Sequence, residues 1–298
     1  MHTYLFLAIC LAFSAYAKDD GILIIGDSGK DNEGQAQVAD AMMNYCESEL
    51  CNLGMLAGDV VYPTGVSSAD DPILKTMFDK YYNKLKVPFL ISLGNHDYGT
   101  ITNDWKRGSY QLKHAVFNRY FVLPHYYYLH MTDNAVIAVI DTNRLFWFKD
   151  TSRMRNLIDM AYSLARQQDK WFMVMGHHPY LSNGKHGNAG KYEGIPGIGW
   201  MIKDIIEDHV CGKAHFFIAG HEHLLQAFDG NVAGCNTQLI VSGAAAKVTK
   251  IERDTPSLFE AAKLGYFYMK LDKEKVEVKA LDIDNKTLYQ KTHFKAEF

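Results

Sequence analysis

Gly21-Ile22-Leu23-Ile24-Ile25-Gly26-Asp27-Ser28-Gly29 is a short apolar, β-branched run stopped by glycine and followed at once by a carboxylate. Such a run is the mark of a strand buried on both faces. Glycine past its end lets the backbone turn sharply and keeps the space beside the next side chain clear. The same figure recurs along the chain. Residues 53–57 lead into Gly58-Asp59, residues 87–93 into Gly94-Asn95-His96, residues 171–175 into Gly176-His177, and residues 215–219 into Gly220-His221-Glu222-His223. One strand tip of this kind is common; five are not. Ligands of open α/β sheets gather at the carboxyl ends of strands, so the five tips point to one shared site.

Between the strands the apolar spacing turns helical. Val38, Met42 and Tyr45 mark a helix over residues 35–50. Ile73, Leu74, Met77, Phe78, Tyr81 and Leu85 mark a second, and Leu157, Ile158, Ala161 and Leu164 a third over residues 154–168. Further strands are expected at residues 136–140 and 238–242, with a closing hairpin over 266–271 and 275–281. Alternating strands and helices give an α/β fold. No repeat, low-complexity segment or linker divides it, so residues 18–298 read as one domain.

The 298 residues are 48% hydrophobic and 22% charged, with a net charge of -3. No basic surface for nucleic acid or polybasic membrane patch is implied. Residues 4–13 form an apolar run, followed by Ala15-Tyr16-Ala17. This reads as a secretory signal peptide over residues 1–17, too short to span a bilayer. Cys46, Cys51, Cys211 and Cys235 remain after it, an even number that suits disulfides in an exported chain. Of the three pairings, Cys46–Cys51 and Cys211–Cys235 are favoured, because each brackets a single connection between elements. Asn285-Lys286-Thr287 is a glycosylation sequon.

At the strand tips, Asp27, Asp59, Asn95, His177, His221 and His223 mix hard oxygen donors with imidazoles. That mixture suits iron, zinc or manganese, and not calcium or a thiolate site. Asp59 has two oxygens with which to bridge two ions. Two cations about 3.5–4 Å apart clamp both oxygens of a phosphoryl displacement, and no serine or cysteine nucleophile is then needed. Any of these residues alone reads more simply as a cap, a turn or a satisfied histidine. His114, His125, His130, His209 and His215 follow no such pattern and read as structural. Residues 145–148 read either as a lid or as packing.

Gly26-Asp27-Ser28-Gly29, Gly58-Asp59-Val60-Val61-Tyr62, Gly94-Asn95-His96-Asp97, Gly176-His177-His178-Pro179 and Gly220-His221-Glu222-His223 together resemble the five blocks of the metallophosphoesterases, in order. Tyr62, three residues after Asp59, narrows the resemblance to the purple (tartrate-resistant) acid phosphatases, and the length of the chain favours their small, mammalian-type form. It implies a four-layer α/β/β/α sandwich, two mixed sheets flanked by helices. Asp27, Asp59, Tyr62 and His223 would hold ferric iron. Asp59, Asn95, His177 and His221 would hold a second divalent metal (Fe, Zn or Mn). His96 and His186 would contact the substrate phosphate or leaving group, and His178 would not bind metal. The implied protein is a monomeric acid phosphatase, secreted, lysosomal or periplasmic, acting on small phosphomonoesters or phosphoproteins. A metal-activated hydroxide would attack phosphorus directly, with Fe(III) acidifying the water. Two alternatives stay open: a divalent-metal phosphodiesterase or nucleotide pyrophosphatase without ferric iron, and an inactive binding protein of the same fold.

Overall fold

The computed structural model describes residues 18–100 and 103–295; the expected signal peptide lies outside them. The chain lays down β1 (Asp20–Ile25), β2 (Leu53–Ala57), β3 (Phe89–Ser92) and β4 (Phe121–Val122) as parallel neighbours. It then builds a second sheet from β5 (Tyr128–Met131), β6 (Ala135–Val139), β7 (Trp171–Met175), β8 (Phe216–Ala219), β9 (Leu225–Asp229), β10 (Gln238–Ser242) and β11 (Phe259–Ala261). Finally β12 (Gly265–Leu271), β13 (Lys275–Asp282) and β14 (Thr287–Phe294) return antiparallel to the first sheet beside β1. The result is two mixed seven-stranded sheets, ordered β14-β13-β12-β1-β2-β3-β4 and β11-β9-β10-β8-β7-β6-β5. Parallel strands occupy the middle of the second sheet and run from β1 to the β4 edge of the first, as expected when helices cover a face.

The strands face two layers, and the side-chain period of two divides them. Ile137 and Val139 enter the core between the sheets, with Ile22, Met55, Met173 and Ile218. Val136, Ala138 and Ile140 turn outward onto Met154, Ile158 and Ala161 of the helix Thr151–Gln167. The helix Glu33–Tyr45 covers the first sheet through Val38 and Met42, which are fully buried. Two serines stitch the sheets together close to the strand tips. Ser242 Oγ donates to Ile24 O (2.8 Å) and Ser92 Oγ to Ile140 O (3.0 Å). The expected disulfides Cys46–Cys51 and Cys211–Cys235 are both present.

Several elements differ from the sequence reading. The first helix stops at Tyr45, where Cys46 begins the turn that its disulfide closes. The segment over 73–85 is not one α-helix. It divides into a π turn Lys75–Asp79, an α turn Lys80–Tyr82 and a 3-10 turn Asn83–Leu85. Phe78 and Tyr82, four residues apart, both reach Phe89, with ring centroids at 6.0 and 5.4 Å. The edge strand β14 shows no apolar run because most of it is only half-buried or exposed. Within β9, the buried polar Gln226 interrupts the apolar pattern. Asn285 is not a free sequon: its Nδ2 donates to Ala41 O (2.9 Å) and its Oδ1 accepts from the Tyr266 hydroxyl (2.7 Å).

Candidate metal centre

All five glycine-marked tips end parallel strands, three in the first sheet and two in the second. Their loops tie to one another through the backbone. Asp27 N–H donates to Gly58 O (3.0 Å), Tyr62 N–H to Gly29 O (2.8 Å) and Gly220 N–H to His177 O (3.0 Å). Asp27, Asp59 and His221 all adopt left-handed backbone angles (φ 59°, 55° and 68°). Non-glycine residues in that region cost free energy and concentrate at functional sites. Two glycines give these side chains their room. A Cβ on Gly94 would lie 2.2 Å from Asp59 Oδ1, and one on Gly58 (φ 87°) 2.3 Å from His177 Nδ1.

The seven side chains singled out in the sequence converge on two adjoining clusters. In the first, Tyr62 Oη lies 2.9 Å from Asp27 Oδ1, 2.8 Å from Asp59 Oδ2 and 3.2 Å from His223 Nε2. In the second, His177 Nε2 lies 3.1 Å from Asn95 Oδ1, 3.2 Å from His221 Nδ1 and 3.5 Å from Asp59 Oδ1. Asp59 thus presents one oxygen to each cluster. Asp27, Asp59 and His177 alone offer donor atoms within 4.8 Å of one another, and all three are buried.

This donor chemistry fits cations. One phenolic hydrogen cannot satisfy Asp27, Asp59 and His223 together. His177 Nδ1 sits 2.8 Å from Ala57 O, which places its proton there and turns the lone pair of Nε2 toward Asn95 Oδ1 and Asp59 Oδ1. A backbone carbonyl fixing the tautomer in this way is the usual support of a metal-bound histidine. Buried lone pairs that face lone pairs call for positive charge between them.

Electrostatics point the same way. Burial pushes the Asp27 carboxyl up to about 8, with His177 opposing and Asp59 adding to the rise. For Asp59 burial also works upward. The adjacent His177 and His96 and its hydrogen bonds outweigh that, and hold the carboxyl below its ordinary value. Tyr62 lies well above its ordinary value, through burial first and then the two carboxylates. Burial holds His221 well below the normal histidine value and His223 at about 4. Without a cation, Asp27 and Tyr62 resist ionisation, and His221 and His223 resist protonation.

Three further residues hold the tips in place, and none was assigned a role from sequence. Asp97 accepts from the backbone N–H groups of Val60 (3.1 Å), Val61 (3.1 Å) and Gly94 (2.8 Å) and from Gln111 Nε2 (2.9 Å), joining the second and third tips. Thr142 Oγ1 accepts from the N–H groups of His177 (3.1 Å) and His178 (2.9 Å). Glu222 Oε1 accepts from Gly187 N–H (2.8 Å), beside His186. Asp97 and Glu222 adjoin the donors in sequence, and that was the available signal. Thr142 follows a strand without a marking glycine and gave none.

His96 and His186 lie on the open side. His96 Nδ1 is 2.6 Å from Pro63 O, and its ring is 4.1 Å from that of Tyr62. His186 has its Nδ1 against the Glu193 carboxylate and its ring 4.5 Å from that of His221. With Tyr62 and His223 they line a cleft of about 670 Å³. His178 packs between Phe146 and His221, its Nδ1 on Thr142. The segment over 145–148 is split: Leu145 is buried, while Trp147 and Phe148 are exposed at 47% and 59%.

Residues 21–225 match the calcineurin-like phosphoesterase family. Purple acid phosphatase 4 of Arabidopsis thaliana is 23% identical, across 90% of this chain and 81% of its own. Tartrate-resistant acid phosphatase type 5 of Sus scrofa is 23% identical across 78% and 73%. Among solved structures, GAP50, described as the anchor in the inner membrane complex of Plasmodium, superposes with a TM-score of 0.74 at 19% identity, covering 92% of this chain and 88% of its own. A dimetal phosphatase from Danio rerio does so with a TM-score of 0.57 at 12% identity, covering 91% and 98%. The chain therefore belongs to the calcineurin-like phosphoesterases, as a metallophosphoesterase-type hydrolase with purple acid phosphatases among its relatives.

Proposed function

We propose that this protein is a secreted acid phosphatase that hydrolyses phosphomonoesters at a dinuclear Fe(III)–divalent metal centre. The observation that carries this reading is the phenol of Tyr62, set among Asp27, Asp59 and His223. A phenol ringed by carboxylate and imidazole donors suits a hard, highly charged cation. Asp27, Asp59, Tyr62 and His223 would hold iron, and Asp59, Asn95, His177 and His221 the second ion (Fe, Zn or Mn). When bound, the pair supplies Lewis-acid polarisation of the phosphoryl oxygens and activation of water.

The chain's own residues then orient and protonate. His96, tethered through Nδ1 to Pro63 O, and His186, tethered through Nδ1 to Glu193, each keep Nε2 for the substrate. In the hydrolysis water adds to phosphorus, the ester P–O bond breaks, and the leaving oxygen takes a proton. Nε2 of His96 or His186 would give that proton or stabilise the transferring oxygens. The two disulfides fit an extracellular protein, and no helix among the described residues is long and apolar enough to cross a membrane.

Metal-replete protein should hydrolyse p-nitrophenyl phosphate at acidic pH and carry a visible iron–phenolate absorption. A colourless, fully active dizinc protein would favour the divalent phosphodiesterase. Absence of any turnover would favour a binding protein, the reading to which the anchor role in the name of the Plasmodium protein lends support.

A further inference from the structure

The cleft above the donors has a rim of positive charge that one phosphoryl group does not use. Lys30, Lys185 and Lys247 line it together with Tyr62, His96, His186 and His223. They come from three loops, after β1, after β7 and after β10. Lysine ion pairs among the described residues are made by Lys80, Lys203, Lys213, Lys279 and Lys295, and by none of these three. Lys30 Nζ lies instead 3.2 Å from the centroid of the Tyr62 ring. Glu222, the carboxylate in the cleft, is engaged by Gly187 N–H.

Like charges gathered in one cleft repel unless an anion lies among them. On the reading above, two cations facing Asp27, Asp59 and the Tyr62 phenolate leave a small positive charge, which a single phosphoryl dianion offsets. The lysines exceed that need. The opposite side of the site, beyond Asn95 and His221, is lined by Phe146, Trp147 and Ile198 with the neutral Asn103 and Asn143 and the anionic Glu193, and by no lysine or arginine. We propose that Lys30, Lys185 and Lys247 form a second anion subsite. It takes the second phosphoryl group of small organic bisphosphates whose first phosphoryl lies at the metal donors.

The substrate claim rests on the hydrolase reading, but the subsite can be tested without turnover. Propylphosphonate and propane-1,3-bisphosphonate share a linker, differ by one anionic head and have no ester bond to hydrolyse. Titrated calorimetrically into metal-replete protein, the bisphosphonate should bind about tenfold tighter, the step one charge-assisted hydrogen bond produces. That advantage should shrink as salt rises. In Lys185→Gln/Lys247→Gln, both exposed positions, it should vanish while propylphosphonate binding moves by less than about twofold. Lys30 is kept, because it lies against Tyr62. Equal affinities in the unaltered protein, or equal weakening of both ligands in the double variant, would overturn the subsite. Turnover of p-nitrophenyl phosphate on the same samples reports on the hydrolase reading separately.

Discussion

The two sheets contribute different chemistry to one site. Loops of the first sheet supply oxygen: Asp27, Asp59, Tyr62 and Asn95. Loops of the second supply nitrogen: His177, His221 and His223. In the oxygen half Asp27, raised to about 8, and Tyr62, well above its usual value, resist ionisation beside Asp59, whose carboxyl is held below its ordinary value. In the nitrogen half His221 is held far below the normal histidine value and His223 at about 4, both by burial. Each half alone is a collection of buried polar groups with too little positive charge. The contrast teaches that neither sheet carries a site by itself, and that the fold brings together what a cation would join.

The sharpest way to break the comparison is Asp59→Ala, because Asp59 alone addresses both clusters. Phosphatase activity should fall by about 10³-fold or more, since metal clamping of the transferring group is lost. Near-normal turnover would sink the bridging role. Tyr62→Phe cuts only the oxygen half. The fold and its melting transition should survive, the visible absorption should vanish, and fewer protons should be released when metal is added at neutral pH, measured by calorimetry in buffers of different ionisation enthalpy. Release unchanged from the unaltered protein would mean that the phenol keeps its proton when metal binds.

Thr142→Val tests the support of the nitrogen half. It removes the acceptor for two buried backbone N–H groups beside His177. A loss of about 10- to 100-fold in activity or metal affinity is expected, as for other residues that orient ligands. A variant with full activity would show that strand β7 alone positions His177.

The smallest expected effect lies outside the donors. Asp141 accepts the Tyr98 hydroxyl at 2.5 Å, and burial raises its carboxyl from 3.8 to about 7. A raised carboxyl keeps its proton in the folded state while the unfolded chain has lost it. Its contribution to stability is therefore complete below about pH 4 and is lost as pH climbs toward 7. Asp141→Asn should flatten that decline in denaturation of the metal-free protein. An unchanged pH profile would show that Asp141 ionises freely.

Much of the site was legible before folding, and for a local reason. Strand burial writes an apolar run into the sequence, and the need for space at Gly58 and Gly94 writes glycine at its end, so the donors stand out as the next polar residues. Tyr62 became visible through resemblance and not through spacing. Elements that lack such a mark stayed hidden. β9 buries Gln226, β14 alternates at an exposed edge, and Thr142 follows a strand with no glycine. Helical periodicity over residues 73–85 does not reveal that the winding passes from a π turn to an α turn and a 3-10 turn.

The sequence by itself determined an α/β chain with polar strand tips and a mixed oxygen–nitrogen donor set, because burial and backbone turning act on neighbouring residues. Only the tertiary structure decided which donors meet. Tyr62 faces His223 from 161 positions away, and Asp27 receives the His221 N–H from 194. Those contacts depend on how two sheets pack and on the serine bonds between them, and distance through space leaves no trace in local order.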